Sequence, residues 1–112
     1  MQPESKKLLT DMHEAAVAIQ QFANGKTLSD LQRDDLLRSG IYFKFVIIGE
    51  ALSQLRQREP DVADKISESP RIIGFRNQVT HGYGQLDDEI TWRIVELKLP
   101  ILIKELEELL RL

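Results

Sequence analysis

The sequence contains no cysteine. This absence excludes a disulfide framework, a zinc site built from thiolates and a cysteine nucleophile, so oxygen and imidazole groups are left to carry any chemistry. Six glycines and four prolines among 112 residues are too few for a linker-rich or collagen-like chain, and a hydrophobic share of 42% is too high for a disordered one. The sequence therefore predicts a single folded domain over residues 1–112.

A long apolar run is also missing. Asp11, His13 and Glu14 interrupt the N-terminal segment, which is unlike the hydrophobic region of a signal peptide. No run approaches the roughly 20 apolar residues that span a bilayer. We therefore expect a soluble, cytoplasmic protein with no membrane partner.

An excess of basic residues is missing as well, because 15 Lys and Arg face 18 Asp and Glu and the formal net charge is −3. Charge-driven coating of nucleic acid needs many cationic side chains that neutralise phosphates. The charge balance argues against that mode of binding. Any contact with RNA then has to come from a local patch.

Apolar residues recur at steps of three and four along most of the chain, which is the spacing of amphipathic helices. The predicted helices run from about residue 3 to 24, 33 to 59, 69 to 81 and 87 to the C-terminus, with a short capped turn around Leu28. Strand alternation, internal repeats and low-complexity tracts are absent from the sequence. The predicted fold class is all-α, an up-and-down bundle of four or five helices.

Several residues predict how these helices begin and continue. Ser69 is expected to cap the third long helix, with Pro70 in its first turn. Asp87 and Asp88 suit the positive N-terminus of the last helix, which Pro100 should kink without ending. One apolar face is expected to continue to the end of the last helix, through Ile90, Ile94, Leu97, Ile101, Leu102, Leu106, Leu109 and Leu110.

The middle helix is apolar on nearly all sides between Ile41 and Ile48, so it must be covered on all sides. A second subunit could cover one face, which predicts a dimer that forms through the central helices. The chain could instead wrap this helix by itself, and the sequence leaves both explanations open. Gly49 would allow a close approach of another helix.

The two histidines lie in different surroundings. His13 falls inside the first helix next to its apolar stripe, where a hydrogen-bonded, partly buried histidine is the structural interpretation. His81 falls where a helix gives way to Gly82-Tyr83-Gly84, so we expect it near the surface and near backbone that a ligand can approach closely.

The stretch RNQVTHGY places Arg76, Asn77, His81 and Tyr83 within eight residues. His81 lies four residues beyond Asn77, on the same side of a helix, whereas Arg76 is about 140° away from His81 by helical spacing. The arginine and the histidine can therefore converge only if the helix unwinds near His81 or if some groups come from another subunit.

Arginine and histidine are the two groups that metal-free RNA cleavage needs. A guanidinium binds phosphate oxygens with a fork of donors, and an imidazole exchanges protons near neutral pH. A histidine base can activate the ribose 2′-hydroxyl, which DNA lacks. No metal-binding motif or cofactor motif is present in the sequence, so neither is expected. The same spacing also fits a surface helix end with a solvated arginine and a capping histidine.

The segments FVIIGEALSQL and IIGFRNQVTHGY, followed by a closing helix with Trp92 and Pro100, resemble the HepT-like branch of the HEPN domains. The resemblance covers nearly the whole chain in matching order. It implies an all-α dimer and, in many members, a metal-independent endoribonuclease whose active site lies across the dimer. By position, Arg76 would bind phosphate, His81 would be catalytic and Asn77 would support them.

The resemblance also implies a partner. HepT-like proteins are toxins paired with a minimal nucleotidyltransferase antitoxin, which adenylylates the tyrosine of the motif, here Tyr83. The RNA substrate would be tRNA or mRNA. Two other functions remain open: a non-catalytic subunit that binds a nucleotide or presents substrate to the nucleotidyltransferase, and a structural dimerisation domain.

Overall fold

The computed structural model describes the backbone of residues 1–112 and every side chain except that of Gln85. The described backbone is helical, without strands, so the all-α prediction is confirmed. The elements are α1 (Pro3–Ala23), α2 (Leu28–Arg33), α3 (Asp35–Arg58), α4 (Pro60–Ala63), α5 (Ser69–His81), a 3-10 turn (Tyr83–Gln85), α6 (Asp88–Arg93), a π-helical segment (Ile94–Lys98) and α7 (Leu99–Leu110).

The long helices form a bundle around α3. Helix α1 packs along one side of α3 and also contacts α7, while α5 packs on another side of α3. Leucines, isoleucines and a methionine fill the space between these helices with fully buried side chains, among them Leu9, Met12, Ile19, Ile41, Ile48, Leu52 and Leu106. This burial of apolar surface is the main force that holds the helices together.

Polar side chains cap three of the helices, as the sequence predicted for α2 and α6. Thr27 and Asp30 form a reciprocal capping box at α2, Asp34 caps α3, and Asp87 accepts hydrogen bonds from two backbone N–H groups at the start of α6. The prediction that Ser69 caps α5 is wrong. Ser69 is the first residue inside α5, and the preceding Glu68 occupies the flanking position with a left-handed backbone (φ 66°).

The chain itself covers most of the apolar middle helix. Ile41, Tyr42, Phe45 and Ile48 are buried within the bundle, whereas Phe43 remains 62% exposed. Of the two explanations that the sequence left open, wrapping by the same chain therefore accounts for most of this helix. The predicted dimer contact through the central helices stays a prediction, and Leu36 and Phe43 are the large apolar side chains that α3 leaves exposed, at 83% and 62%.

The segment from α6 to α7 carries two apolar stripes, and the predicted apolar face is right at Leu102 and Leu106 but wrong in its first part. The buried stripe consists of Trp92, Val95, Leu99, Leu102 and Leu106. The predicted residues Ile90, Leu97 and Ile101 are about half exposed or more, with exposed fractions of 53%, 60% and 49%. Both stripes have helical spacing, and only packing against α1 decides which one is covered.

The π-helical segment explains how Pro100 is accommodated. Pro100 has no backbone N–H and lies in the first turn of α7, directly after the five residues of wider helix. The helix continues past the proline to Leu110, as the sequence predicted. In the part of the chain that the structure describes, none of the helices combines the length and the hydropathy needed to cross a membrane.

Candidate active site

Arg76 points from α5 towards α3 and lies against Gly49. A Cβ atom built on Gly49 would come within 2.7 Å of Cγ of Arg76 and closer still to its Cβ. Any side chain at position 49 would therefore push α5 away from α3. The close helix approach that the sequence predicted at Gly49 is confirmed. The aliphatic part of the Arg76 side chain lies in the space that a side chain at position 49 would fill.

The guanidinium of Arg76 is held by two acceptors. Its Nη2 donates to Oε2 of Glu50 at 2.6 Å, and its Nη1 donates to Oδ1 of Asn77 at 2.8 Å. The side chain of Arg76 is 27% exposed and that of Glu50 is 48% exposed. Arg76 is thus a partly buried cation with a fixed orientation and a carboxylate partner.

His81 is the last residue of α5 and is exposed, as predicted. The helix stays regular from Arg76 to His81, and Gly82 ends it with its N–H bonded to the carbonyl of Gln78. Unwinding therefore does not bring the arginine and the histidine together. Within one chain the two side chains leave α5 about 140° apart, so a shared site needs groups from elsewhere.

Tyr83 follows His81 by two residues, in the 3-10 turn after α5. Its ring is 78% exposed, so the core of the protein does not depend on it. The phenol is open to solvent and to another macromolecule. The predicted site residues all lie on one short stretch of chain, and within it the side chains of Arg76 and Asn77 are hydrogen bonded to each other.

An open apolar groove borders the helix that carries these residues. It has a volume of about 320 Å³ and runs between α5 on one wall and α6 to α7 on the other, with α3 as its floor. The side chains of the groove include Phe45, Ile48, Ile72, Phe75, Ile90, Ile94 and Ile101. Ile90 and Ile101 of the exposed stripe thus lie in one wall of this groove, which we call the α5–α7 groove.

The remaining candidates have structural roles. The His13 ring lies 3.0 Å from the Glu107 carboxylate and joins α1 to α7, as expected of a partly buried histidine. Asp34 and Asp87 cap helices. Among the described side chains, no group of three His, Asp or Glu residues is close enough to hold a metal ion.

A buried network links α3 to α6. The hydroxyl of Tyr42 donates to Asp88 at 2.8 Å and lies 2.8 Å from the hydroxyl of Thr91. Burial raises the pKa of Tyr42 to about 12, and the Asp88 carboxylate acts in the same direction, while the bond to Thr91 opposes them. Tyr42 therefore stays protonated at neutral pH, and its hydroxyl connects α3 to α6.

The residue that the sequence did not reveal is Glu50. The stretches IIGEA and RNQVTHGY are both distinctive in the sequence, but nothing in their spacing shows that Glu50 pairs with Arg76, 26 residues later. Helical periodicity places a residue on a face and does not say which residue of another helix it meets. The neighbouring Gly49 was the only local signal.

These features define a class: an all-α bundle that carries an anchored arginine, an exposed histidine and an exposed tyrosine on one helix and the turn after it. A family model described as "Ribonuclease HepT-like" matches residues 12–109. The chain belongs to this HepT-like, HEPN-type ribonuclease family.

Two curated proteins of Methanocaldococcus jannaschii are similar over most of their length. The chain is 29% identical over 108 residues to the protein named "Putative RNase MJ0127", an alignment that covers 95% of the chain and 87% of that relative. It is 27% identical over 106 residues to "Putative RNase MJ1380", with coverages of 91% and 93%. No solved structure matches the chain. The family and the names of these relatives support a ribonuclease function.

Proposed function

We propose that this protein is a metal-independent endoribonuclease in which Arg76 binds phosphate and His81 transfers protons. The observation that carries the proposal is the anchored guanidinium of Arg76, held by Glu50 and Asn77 on the helix that ends in the exposed His81. Membership of a ribonuclease family supports the same chemistry. We assign this function to a single HEPN-like domain, residues 1–112, that acts in the cytoplasm.

The proposed reaction uses the 2′-hydroxyl of RNA. The imidazole of His81 takes the 2′-hydroxyl proton, and the oxygen attacks the adjacent phosphorus. The bond from phosphorus to the 5′-oxygen of the next nucleotide breaks, and that oxygen takes a proton from a second histidine. The products are a 2′,3′-cyclic phosphate and a 5′-hydroxyl. The guanidinium of Arg76 stabilises the charge that grows on the phosphoryl oxygens.

The second histidine comes from a second copy of the chain in this proposal. Arg76 and His81 diverge on a regular helix, so two copies are needed to surround one phosphate with both groups. The α5–α7 groove is an apolar surface beside α5, and we propose it as the dimer contact, whereas the sequence predicted a contact through the central helices. HEPN-type ribonucleases generally dimerise, which supports this arrangement.

The proposal includes regulation by a minimal nucleotidyltransferase antitoxin. Tyr83 is the acceptor of the adenylyl group, and its 78% exposure supports this role. An attached nucleotide would place negative charge and bulk two residues from His81, where the RNA phosphate has to bind. The chain would then be the toxin of a toxin–antitoxin pair.

The test is RNA cleavage in the presence of EDTA. The wild type is expected to cleave tRNA or mRNA, and Arg76→Ala and His81→Ala are each expected to lose about 100-fold or more in rate, since each removes a group that acts in the transition state. His13→Gln is the matched histidine control and should keep the wild-type rate. Substrates with 2′-deoxy sugars should remain intact.

A wild type that cleaves no RNA in this assay, or a His81→Ala variant that cleaves as well as the wild type, would contradict the proposal. Calorimetry with ATP and AMP then tests the alternative function, a non-catalytic subunit that binds a nucleotide. Nucleotide binding without RNA turnover, lost in Arg76→Ala, would identify the chain as a non-catalytic subunit of a nucleotidyltransferase.

A further inference from the structure

The ion pair between Glu50 and Arg76 has a geometry that fixes the guanidinium plane. Nη2 donates to Glu50 on α3, and Nη1 donates to Asn77 on α5, so acceptors on two helices hold the two terminal nitrogens. The aliphatic stem is confined by Gly49. A planar group with two separate bonds and a confined stem has little rotational freedom.

The anchored guanidinium still has donors to offer. Arginine carries five N–H groups, and Glu50 and Asn77 use one each. The Nε–H is buried and has no partner among the described side chains, while Nη1 and Nη2 each keep one further N–H. With 27% of the side chain exposed, Arg76 can remain bound to Glu50 and still donate to a phosphate.

The charge of Glu50 has the opposite effect on affinity. A carboxylate 2.6 Å from Nη2 cancels much of the positive potential that would attract an RNA phosphate. Holding the arginine in place and attracting the substrate are therefore separate properties at this site. Removing Glu50 should affect them in different directions.

We propose that Glu50 is a positioning residue, which orients the Arg76 guanidinium for the transition state at some cost in affinity for RNA. This inference rests on the proposed role of Arg76 in phosphate binding. Glu50 acts through Arg76 and takes no part in proton transfer.

The experiment measures kcat and KM for RNA cleavage in Glu50→Ala and Glu50→Gln. We expect kcat of Glu50→Ala to fall about 10-fold or more, because the guanidinium is no longer oriented. KM should stay unchanged or decrease, because a negative charge has left the site. Glu50→Gln keeps an acceptor oxygen at the same reach, so its kcat should lie between those of Glu50→Ala and the wild type.

Glu108→Ala is the matched control, since it removes the same charge from an exposed position near the end of α7. It should leave kcat unchanged. An active wild type with a Glu50→Ala variant of wild-type kcat, or with a raised KM and unchanged kcat, would overturn the role of Glu50 and leave the ribonuclease function standing.

The two proposals fail in different ways. An inactive wild type contradicts the proposed function itself. If circular dichroism shows that Glu50→Ala is unfolded, the positioning role is tested with Glu50→Gln instead. A kcat about threefold lower than that of the wild type, at equal or lower KM, supports the role. A kcat equal to that of the wild type overturns it.

Discussion

At the scale of single residues, two glycines in neighbouring helices have opposite surroundings. Gly49 in α3 lies against Arg76, and a methyl group there would collide with the stem of that side chain. Gly74 in α5 has no atom within 4 Å of the position that a Cβ would take. The first glycine is required by packing. The second only adds flexibility to the unfolded chain and weakens its helix.

We expect Gly49→Ala to lower the free energy of unfolding by about 1–3 kcal/mol, because α5 must move away from α3. Gly74→Ala is the matched control and should raise it by about 0.5–1 kcal/mol, since alanine favours the helix and meets no neighbour. Urea denaturation followed by circular dichroism measures both. Equal stability of Gly49→Ala and the wild type would show that the contact between the two helices is loose.

At the scale of secondary-structure elements, Tyr42 connects the long central helix to the start of the last helical segment. Its hydroxyl bonds to Asp88 and contacts Thr91, and its ring stacks near Phe75 of α5. Three helices therefore meet at one aromatic side chain. The contact is apolar through the ring and polar through the phenol, so the two contributions can be separated by removing the hydroxyl alone.

The raised pKa of Tyr42 makes stability depend on pH in the alkaline range. In the unfolded chain the phenol has its ordinary pKa of about 10, whereas in the folded protein its pKa is about 12. The folded state therefore binds this proton more tightly. The stabilising contribution is complete below pH 10 and is lost as the pH rises to 12, by about 1–2 kcal/mol.

Urea denaturation from pH 8 to 12 checks this expectation. Above pH 10 the free energy of unfolding of the wild type should fall more steeply than that of Tyr42→Phe. The other titratable groups are the same in the two proteins, so the difference reports on Tyr42. At pH 8 the variant should be about 1 kcal/mol less stable, because the Asp88 carboxylate loses a donor. Parallel curves for the two proteins would mean that Tyr42 gains no proton affinity on folding.

At the scale of the whole molecule, the distribution of apolar surface decides how copies can meet. Most of helix α3 is covered by its own chain, and part of the apolar surface that remains, including Ile90 and Ile101, lines the α5–α7 groove. A net charge of −3 disfavours binding of RNA over the whole surface. The dimer proposed above would contain two copies each of Arg76 and His81, so that a shared site could concentrate the phosphate-binding groups while the rest of the surface stays acidic.

Light scattering at micromolar concentration tests the contact. We expect a wild-type dimer and an Ile101→Lys variant whose dissociation constant is at least about tenfold higher, because a charge at the groove has to be desolvated in the dimer. RNA cleavage should fall in parallel. Leu36→Lys is the matched control, since Leu36 is apolar, 83% exposed and outside the groove.

A monomeric wild type would contradict the dimer and the site shared between copies. A dimer that Ile101→Lys leaves intact would locate the contact elsewhere, with the exposed Phe43 on α3 as the next position to change.

The long helices, most of their starts and the stretch that carries Arg76, His81 and Tyr83 could be predicted from the sequence, because helical period, capping side chains and motif spacing are local properties. The sequence also predicted the close approach at Gly49. Two predictions were wrong, the helix cap at Ser69 and the burial of Ile90, Leu97 and Ile101. In both cases the local sequence is equally compatible with two arrangements.

The burial of one stripe of the last helical segment and the exposure of the other follow from the packing of the helices and could not be predicted. The contact of Glu50 with Arg76, between residues 26 positions apart on different helices, likewise follows from the tertiary structure alone. The physical reason is the same in both cases. Local sequence sets the direction in which a side chain leaves its helix, whereas the packing of whole helices sets what that side chain meets.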